Sequence, residues 1–576
     1  MNQAEIKRQL PSHLRQFVAD QDYASRYTAK DHAVWRFVMG QLVRQLEKSA
    51  HPVYFEGLER TGISLHAIPS IDGMNESLAK LGWQAIVVDG FIPPQAFMEL
   101  QSLRILAIAV NMRSIHHIEY TPAPDIIHEA AGHAPIIADV EYSDYLQRFG
   151  EVGMKAIYNQ YDLDLYQAVR QLSIVKESFE STLDAIQHAE ETLDELVRNP
   201  GQPSELALLT RLHWWTVEYG LVGNTSDYSI FGAGLLSSLS ESLACMDNKK
   251  VKTLPLTVDA IKTPYDITNL QPQLFVTKSC RHLTQILNEY ATTMCYQTGG
   301  VRGVEIAIEA GVVTTCQLSS GVTVSGKFSR ALKNSIAEVI YINTEGPTQL
   351  AFEGAELGGH GTDFHVAGFG SPVGRLCNLM KPLEHASEYE LQELGIKRGE
   401  LCELDFLSGV IVKGELRSIH KANGVVLLMS FRDCTVLDPG GEILFDPSWG
   451  TFDMVVGESI ASAFAGSADP SRFDVYPQAS ASTSLASSLA TSEDPQEIAL
   501  FQQIQTLREE RRNAEQTVMQ VLDSFPENWL MMAELLALLP KGSKTFQLLV
   551  RQLRQLKDQH PDLACLIGRA LAIYNK

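Results

Sequence analysis

The pattern of apolar residues changes character near residue 300, from helical to strand-like spacing. Before that point the chain reads as mainly helical. DHAVWRFVMGQLVRQL places Val34, Trp35, Val38, Leu42 and Leu46 on one helix face, with Asp31 as its expected N-cap. PSELALLTRLHWWTVEYGLV predicts a long helix capped by Ser204, and SIVKESFESTLDAIQHAEETLDELVR predicts another with an acidic, solvated face. Beyond residue 300, GGVRGVEIAIEAGVVTTCQLSSGVTVSGKF alternates apolar and polar residues between Gly and Ser turns, which is a strand and hairpin signal. AEVIYINTEG, SGVIVKGELRSIHKANGVVLLMSF and GEILFDP repeat that texture. The predicted division is a mainly α unit over 1–300, a mainly β region over 301–465, a Ser/Ala/Pro-rich flexible linker over 466–494 and a helical segment over 495–576. In the last, Ile498, Phe501, Ile504, Leu507, Ala514, Val518 and Val521 fall at helical spacing. Such a stripe suits either self-association or a self-contained bundle.

Charge and composition exclude several classes of function. Lys and Arg number 47 against 69 Asp and Glu, a net charge of −22, and so acidic a surface repels phosphate backbones. Nucleic acid is therefore not an expected partner. No apolar run approaches the roughly 18 residues of a membrane-spanning helix. The opening residues MNQAEIKRQLPSHLRQF lack the apolar core of a secretory signal. Eight cysteines stand singly, with no C-x-x-C pair, and read as reduced thiols of a cytoplasmic protein.

The segment TPAPDIIHEAAGHAP (121–135) carries the most chemistry. His128 and His133 are five residues apart, one more than in a zinc-protease H-E-x-x-H helix. On an ideal α-helix the second side chain turns about 140° away from the first. Both imidazoles reach one metal if the helix ends between them, and Gly132 offers such a C-terminal ending. Otherwise they are an ordinary surface or core pair. Two histidines and one carboxylate on a single face, with coordination positions left open, form the donor set of non-haem Fe(II) oxygenases. The carboxylate candidate is Glu218, set among Trp214, Trp215 and Tyr219, where a buried charge needs a metal or partner.

At these residues the sequence resembles the tetrahydropterin-dependent aromatic amino acid hydroxylases. That family carries T-P-E-P-D-x-x-H-E-x-x-G-H-x-P, then T-V-E-F-G-L, then G-A-G-L-L-S-S. This chain has TPAPDIIHEAAGHAP, TVEYGLV and FGAGLLSSLSE in the same order, and the resemblance spans about residues 20–297. It implies a mainly α catalytic domain of the aromatic amino acid hydroxylase type, followed here by the mainly β region and the C-terminal helical segment. It implies Fe(II) held by His128, His133 and Glu218, and a tetrahydropterin (tetrahydrobiopterin or a related pterin) as cosubstrate. Phe97 would stack on the pterin, Gly90, Phe91 and Ile92 would bond its edge, and Glu129 would position it near the metal as a catalytic group. Arg113, Thr121 and Ser237 would bind the substrate carboxylate, and Trp214 and Pro124 would pack against its ring. A guanidinium suits a carboxylate through two parallel hydrogen bonds.

The activity implied is ring hydroxylation of an aromatic amino acid by O2, with Trp214 favouring phenylalanine over tyrosine or tryptophan. An inactive binding scaffold on the same fold is the rival reading, disfavoured by the retained ligands. His213 and Leu274 stand where vertebrate members of the family usually carry tyrosine. Too few residues precede the resemblance for a regulatory domain. Residues 301–576 resemble nothing recognised. Within them, GGHGTDFHVAGFGSPVG (358–374) holds His360 and His365. A solvent loop is the favoured reading there, over a phosphate loop or a second metal site, because no lysine or serine stands where a phosphate loop needs it.

Overall fold

The computed structural model describes residues 1–19, 27–88, 92–115, 118, 124–177, 182–266, 269–476 and 494–572. The helix Ala29–Leu46 buries Val34, Trp35, Val38, Leu42 and Leu46. Its cap is Thr28 instead of Asp31: the Thr28 side chain accepts from the Asp31 backbone N–H, and the Asp31 carboxylate reaches back to the cap. Asp31 thus fills the third position of a capping box. The acidic stretch read as one helix belongs to two, Gln160–Glu177 and Leu183–Arg198, and Thr182 caps the second.

Two small sheets lie among these helices. The strands β1 (Gln84–Val88) and β2 (Ile105–Ala109) pair in parallel. The strands β3 (Leu221–Asn224), β4 (Asp227–Ile230), β5 (Lys252–Pro255) and β6 (Gln273–Thr277) form a sheet ordered β4-β3-β6-β5. Leu274, in β6, is core.

The strand-rich middle begins later than its alternation suggests. Gly300–Ala310 is a helix, ended by Gly311 in the left-handed region at φ 67°. Gly303, Val304, Ala307 and Ala310 are its buried positions, a three-and-four spacing that V-E-I-A-I-E-A disguises as alternation. The strands β7 (Val313–Leu318), β8 (Val322–Lys333), β9 (Val339–Phe352), β10 (Ala355–Glu356) and β11 (Gly368–Pro372) follow. Then come β12 (Leu401–Asp405), β13 (Ile411–Ala422), β14 (Val425–Leu437), β15 (Ile443–Phe445), β16 (Phe452–Val455) and β17 (Ile460–Ala465). One sheet runs β10-β9-β8-β7-β17 with β11 on β9, and the other runs β12-β13-β14-β15 with β16 on β14. The second sheet has a core of its own around Val412, Phe431 and Met454. The first shares one continuous core with the N-terminal helices and with the C-terminal ones.

Residues 466–476, expected as flexible linker, are tied down. Thr315 Oγ1 donates to the Gly466 carbonyl, Asp469 accepts from the Glu356 N–H, and Tyr476 Oη donates to Glu99 at 2.9 Å. The remainder of the predicted linker, 477–493, lies outside the described residues. Five helices follow: Pro495–Glu510, Glu515–Ser524, Trp529–Leu536, Lys544–Gln559 and Ala564–Ala572. They bury Phe501, Ile504, Ala514, Val518 and Val521 within the chain, whereas Ile498 is exposed. The bundle rests on the Ala29–Leu46 helix. Trp529 meets Phe37 edge to face at 4.9 Å, and Arg36 makes a two-pronged contact with Glu534 at 2.6–3.0 Å.

Candidate metal centre

His128 and His133 meet because the helix that carries them widens. Ile127–His133 is a π-helix, in which backbone bonding runs from i to i+5 and residues five apart lie over one another. The expected ending at Gly132 does not occur, and the π-helix runs straight into a 3-10 turn, Ala134–Ala138. Gly132 is there for space: a Cβ at that position would lie 2.8 Å from the Ala233 carbonyl oxygen. The helix Glu205–His213, capped by Ser204 as predicted, likewise passes into a π-helix, Trp214–Glu218, whose last residue is the third ligand candidate.

The three side chains converge. His128 Nε2 lies 3.1 Å from His133 Nε2 and 3.3 Å from Glu218 Oε2, and His133 Nε2 lies 3.4 Å from Glu218 Oε1. Bonds of about 2.1 Å to one ion place neighbouring donors roughly 3.0–3.4 Å apart. The donor set and its spacing fit Fe(II) with positions to spare. Burial works to raise the Glu218 carboxyl, but the two imidazoles override it and hold the group well below its ordinary range. Glu129 takes the opposite course. Burial, with Glu218 and Asp125 adding like charge and His133 opposing, pushes it up to about 8. His213 is buried against Phe149 and Phe97, and that burial lowers its imidazole to about 4. Its Nδ1 is 3.9 Å from Glu218, outside bonding distance.

Ser237, expected to bind substrate, faces the metal centre. Its hydroxyl donates to the Ala233 carbonyl at 2.8 Å, and His128 Nδ1 lies 3.1 Å from the same oxygen. With the hydroxyl proton committed to Ala233, the imidazole donates at Nδ1 and keeps the Nε2 lone pair for the metal. Arg113, read as the carboxylate fork, is met by a residue the sequence reading passed over. Asp125 takes Arg113 Nε at 2.7 Å and Nη2 at 2.8 Å, leaving Nη1 facing the carbonyls of Ile118 and Ser237. Asp125 also accepts the His128 backbone N–H at 3.0 Å. Its place three residues before a candidate ligand, at the start of the helix, was the available signal.

Trp214 is stacked between Tyr219, at 4.7 Å, and Tyr265, at 4.3 Å. Nothing in the sequence around Tyr265 marks it. Phe97 is half-buried and meets His213 edge-on at 6.0 Å, Ile92 is half-buried, and Pro124 is exposed. Gly90, Phe91 and Thr121 lie outside the described residues.

A family model described as biopterin-dependent aromatic amino acid hydroxylase matches residues 17–165 and 200–299. The first half of the chain belongs to that family. The hydroxylase is 29% identical over 260 residues to phenylalanine-4-hydroxylase of Chromobacterium violaceum, covering 45% of this chain and 73% of that protein. It is equally 29% identical over 260 residues to the Ralstonia nicotianae protein of the same name, covering 45% and 69%. A crystal structure of the C. violaceum protein, described with bound iron(III) and 7,8-dihydrobiopterin, is 28% identical, with a TM-score of 0.38, and covers 48% of this chain and 85% of that one. As a family member the hydroxylase is a pterin-dependent monooxygenase of aromatic amino acids. The described residues of the unmatched stretch 166–199 lie mainly in the two antiparallel helices Gln160–Glu177 and Leu183–Arg198, joined by Tyr161 Oη donating to the Leu196 carbonyl. Among the described residues no helix is long and apolar enough to cross a membrane.

Proposed function

We infer that this hydroxylase acts on phenylalanine, with His128, His133 and Glu218 holding Fe(II). The observation that carries the reading is the convergence of two imidazoles and one carboxylate at 3.1–3.4 Å beside the Tyr219–Trp214–Tyr265 stack. The names of the C. violaceum and R. nicotianae relatives point to the same substrate. Tyrosine and tryptophan are the competing substrates, to be separated by assay.

When bound, the iron and a tetrahydropterin supply O2 activation and two electrons. The chain's own residues do the rest. Ser237 fixes the tautomer of His128. Asp125 holds Arg113 in place, with Nη1 turned to the Ile118 and Ser237 carbonyls, and Arg113 is assigned to the amino acid carboxylate. Glu129, whose carboxyl burial pushes up, stands next to His128 and is assigned to position the pterin near the metal. The aromatic stack gives the substrate ring an apolar wall. Phe97 and Ile92, together with Gly90 and Phe91, are assigned to the pterin.

The test is turnover of the full chain with Fe(II), tetrahydrobiopterin and each of phenylalanine, tyrosine and tryptophan in turn. Hydroxylated phenylalanine is expected at the highest kcat/KM. Preference for another ring overturns the substrate assignment, and no product from any of the three overturns the reading as a whole.

A further inference from the structure

Outside the hydroxylase centre, two more groups of metal-ligating side chains converge among the described residues: His51, Asp139 and Cys280, and His360, His365 and Asp453. The first is already used. Asp139 caps the helix Val140–Gly153 through the Tyr142 N–H, and burial pushes the Cys280 thiol up to about 12, far from a ready thiolate.

The second lies in the strand-rich middle, beyond the reach of the family match. His360 and His365 stand on the loop returning from β10, and their backbones are fastened to β9. The His360 carbonyl accepts from the Leu350 N–H at 2.9 Å, and the His365 carbonyl accepts from the Thr348 N–H at 3.1 Å. Asp453 comes from the other sheet, on β16, opposite Ser430 of β14. The loop read as solvent therefore closes a junction between two sheets. His360 Nδ1 lies 3.2 Å from His365 Nε2 and 3.9 Å from Asp453 Oδ2. The imidazole separation is close to the 3.1 Å of the hydroxylase pair.

A simple histidine–histidine hydrogen bond accounts for two of these atoms but not the third. Asp453 is buried, and its Oδ1 accepts from Ser430 Oγ at 2.6 Å. Among the described residues no Lys or Arg forms an ion pair with it; its single ionic neighbour is His360. A buried charged carboxylate with only a histidine beside it is disfavoured, and a metal ion bound there would stabilise it. The Ser430 bond is also the kind of outer contact that orients a ligating carboxylate. His365 and Asp453 face a cavity of about 670 Å³, shared with Arg330, Tyr341, Asn343 and Trp449, so an ion held there has a side open for water or a small ligand.

We propose that His360 Nδ1, His365 Nε2 and Asp453 Oδ2 form a second metal site, for a divalent transition metal of the zinc and iron group. Three protein ligands with one open position is the arrangement of reactive, as opposed to purely structural, zinc sites. The site is independent of the hydroxylase centre, and its test need not involve turnover. The chelator-stripped full chain is titrated with cobalt(II), reading bound metal after gel filtration and the visible absorption of each equivalent. The parent is expected to take two equivalents. His128→Ala/His133→Ala and His360→Ala/His365→Ala are each expected to take one, and the latter is expected to hydroxylate at the parental rate once iron is supplied. A parent that takes a single equivalent, or a His360→Ala/His365→Ala chain that still takes two, overturns the proposal. Asp453→Asn keeps the side-chain shape and decides the matter if the double variant does not fold. It is expected to bind the second equivalent at least about tenfold more weakly; unchanged affinity overturns the assignment.

Discussion

Replacing Ser237 by alanine removes one oxygen from the metal centre and leaves the backbone and surrounding packing in place. That oxygen is 3.1 Å from His128 Nδ1 and donates its own proton to Ala233 at 2.8 Å. An ordinary hydrogen bond of this kind is worth about 0.5–1.5 kcal/mol net, and leaving a buried N–H unsatisfied costs about 1–3 kcal/mol. Ser237 is only 3% exposed, so water does not replace the lost partner. Taking the second range, the ligating form of His128 is penalised by roughly one to two decades in iron affinity, at about 1.4 kcal/mol per decade. Initial rates are measured against Fe(II) at saturating amino acid, then against amino acid at saturating iron. The iron midpoint is expected to rise at least about tenfold, with kcat recovered at high iron and KM for the amino acid little changed. The opposite split, with unchanged iron demand and a raised KM, would refute the reasoning and return Ser237 to the substrate carboxylate.

Three further outcomes follow from the same contacts. Asp125→Asn strips the buried Arg113 guanidinium of its charged partner; the pair is 2% and 3% exposed, and breaking such a pair costs about 3–5 kcal/mol, read as a lower urea midpoint. Burial works to raise the Asp125 carboxyl, but the Arg113 fork holds it low, so the pair stabilises above the ordinary carboxylate value near pH 4 and is lost as pH falls through the lowered one. The variant's stability should accordingly depend less on pH on the acid side than the parent's. Gly232→Ala places a Cβ 2.5 Å from the Glu218 carbonyl oxygen and 2.3 Å from Gly220 N, so backbone must move, and both bound iron and melting temperature are expected to fall. Glu534→Ala leaves Arg36 and Arg508 without their shared carboxylate, and hydrogen exchange is expected to accelerate in 29–46 and 529–536 while the strand-rich middle stays protected.

The residues of the candidate metal centre were legible where types and order carry the information. His128, His133 and Glu218 are few, distinctive and flanked by a recognisable pattern, and they meet as expected. How they meet was not legible, because a π-helical turn has no composition of its own. AAGH reads as a helix with an end, and only the packing of Gly132 on Ala233 reveals a helix that widens and continues. Asp125 and Tyr265 escaped notice for a related reason. Their roles come from partners twelve residues away, Arg113, and about fifty away, Trp214, which no local window holds together. The Gly300–Ala310 helix was misread because its small and apolar residues satisfy two periodicities at once. His360 and His365 were visible as a pair, but Asp453, on a different sheet, was out of reach of any spacing argument.

The seat of the C-terminal helices has a consequence for how this protein is made. Arg36 and Glu534 are 498 residues apart in sequence. At translation rates of about 5–20 residues per second, the ribosome needs roughly 25–100 seconds to deliver the second after the first. For all that time Phe37 and its neighbours wait uncovered on a nascent chain whose early helices are ready to fold. Each newly made molecule thus passes through a stage with a sticky flank awaiting its own tail, the interval in which a chaperone, or a neighbouring polysome, has its opportunity.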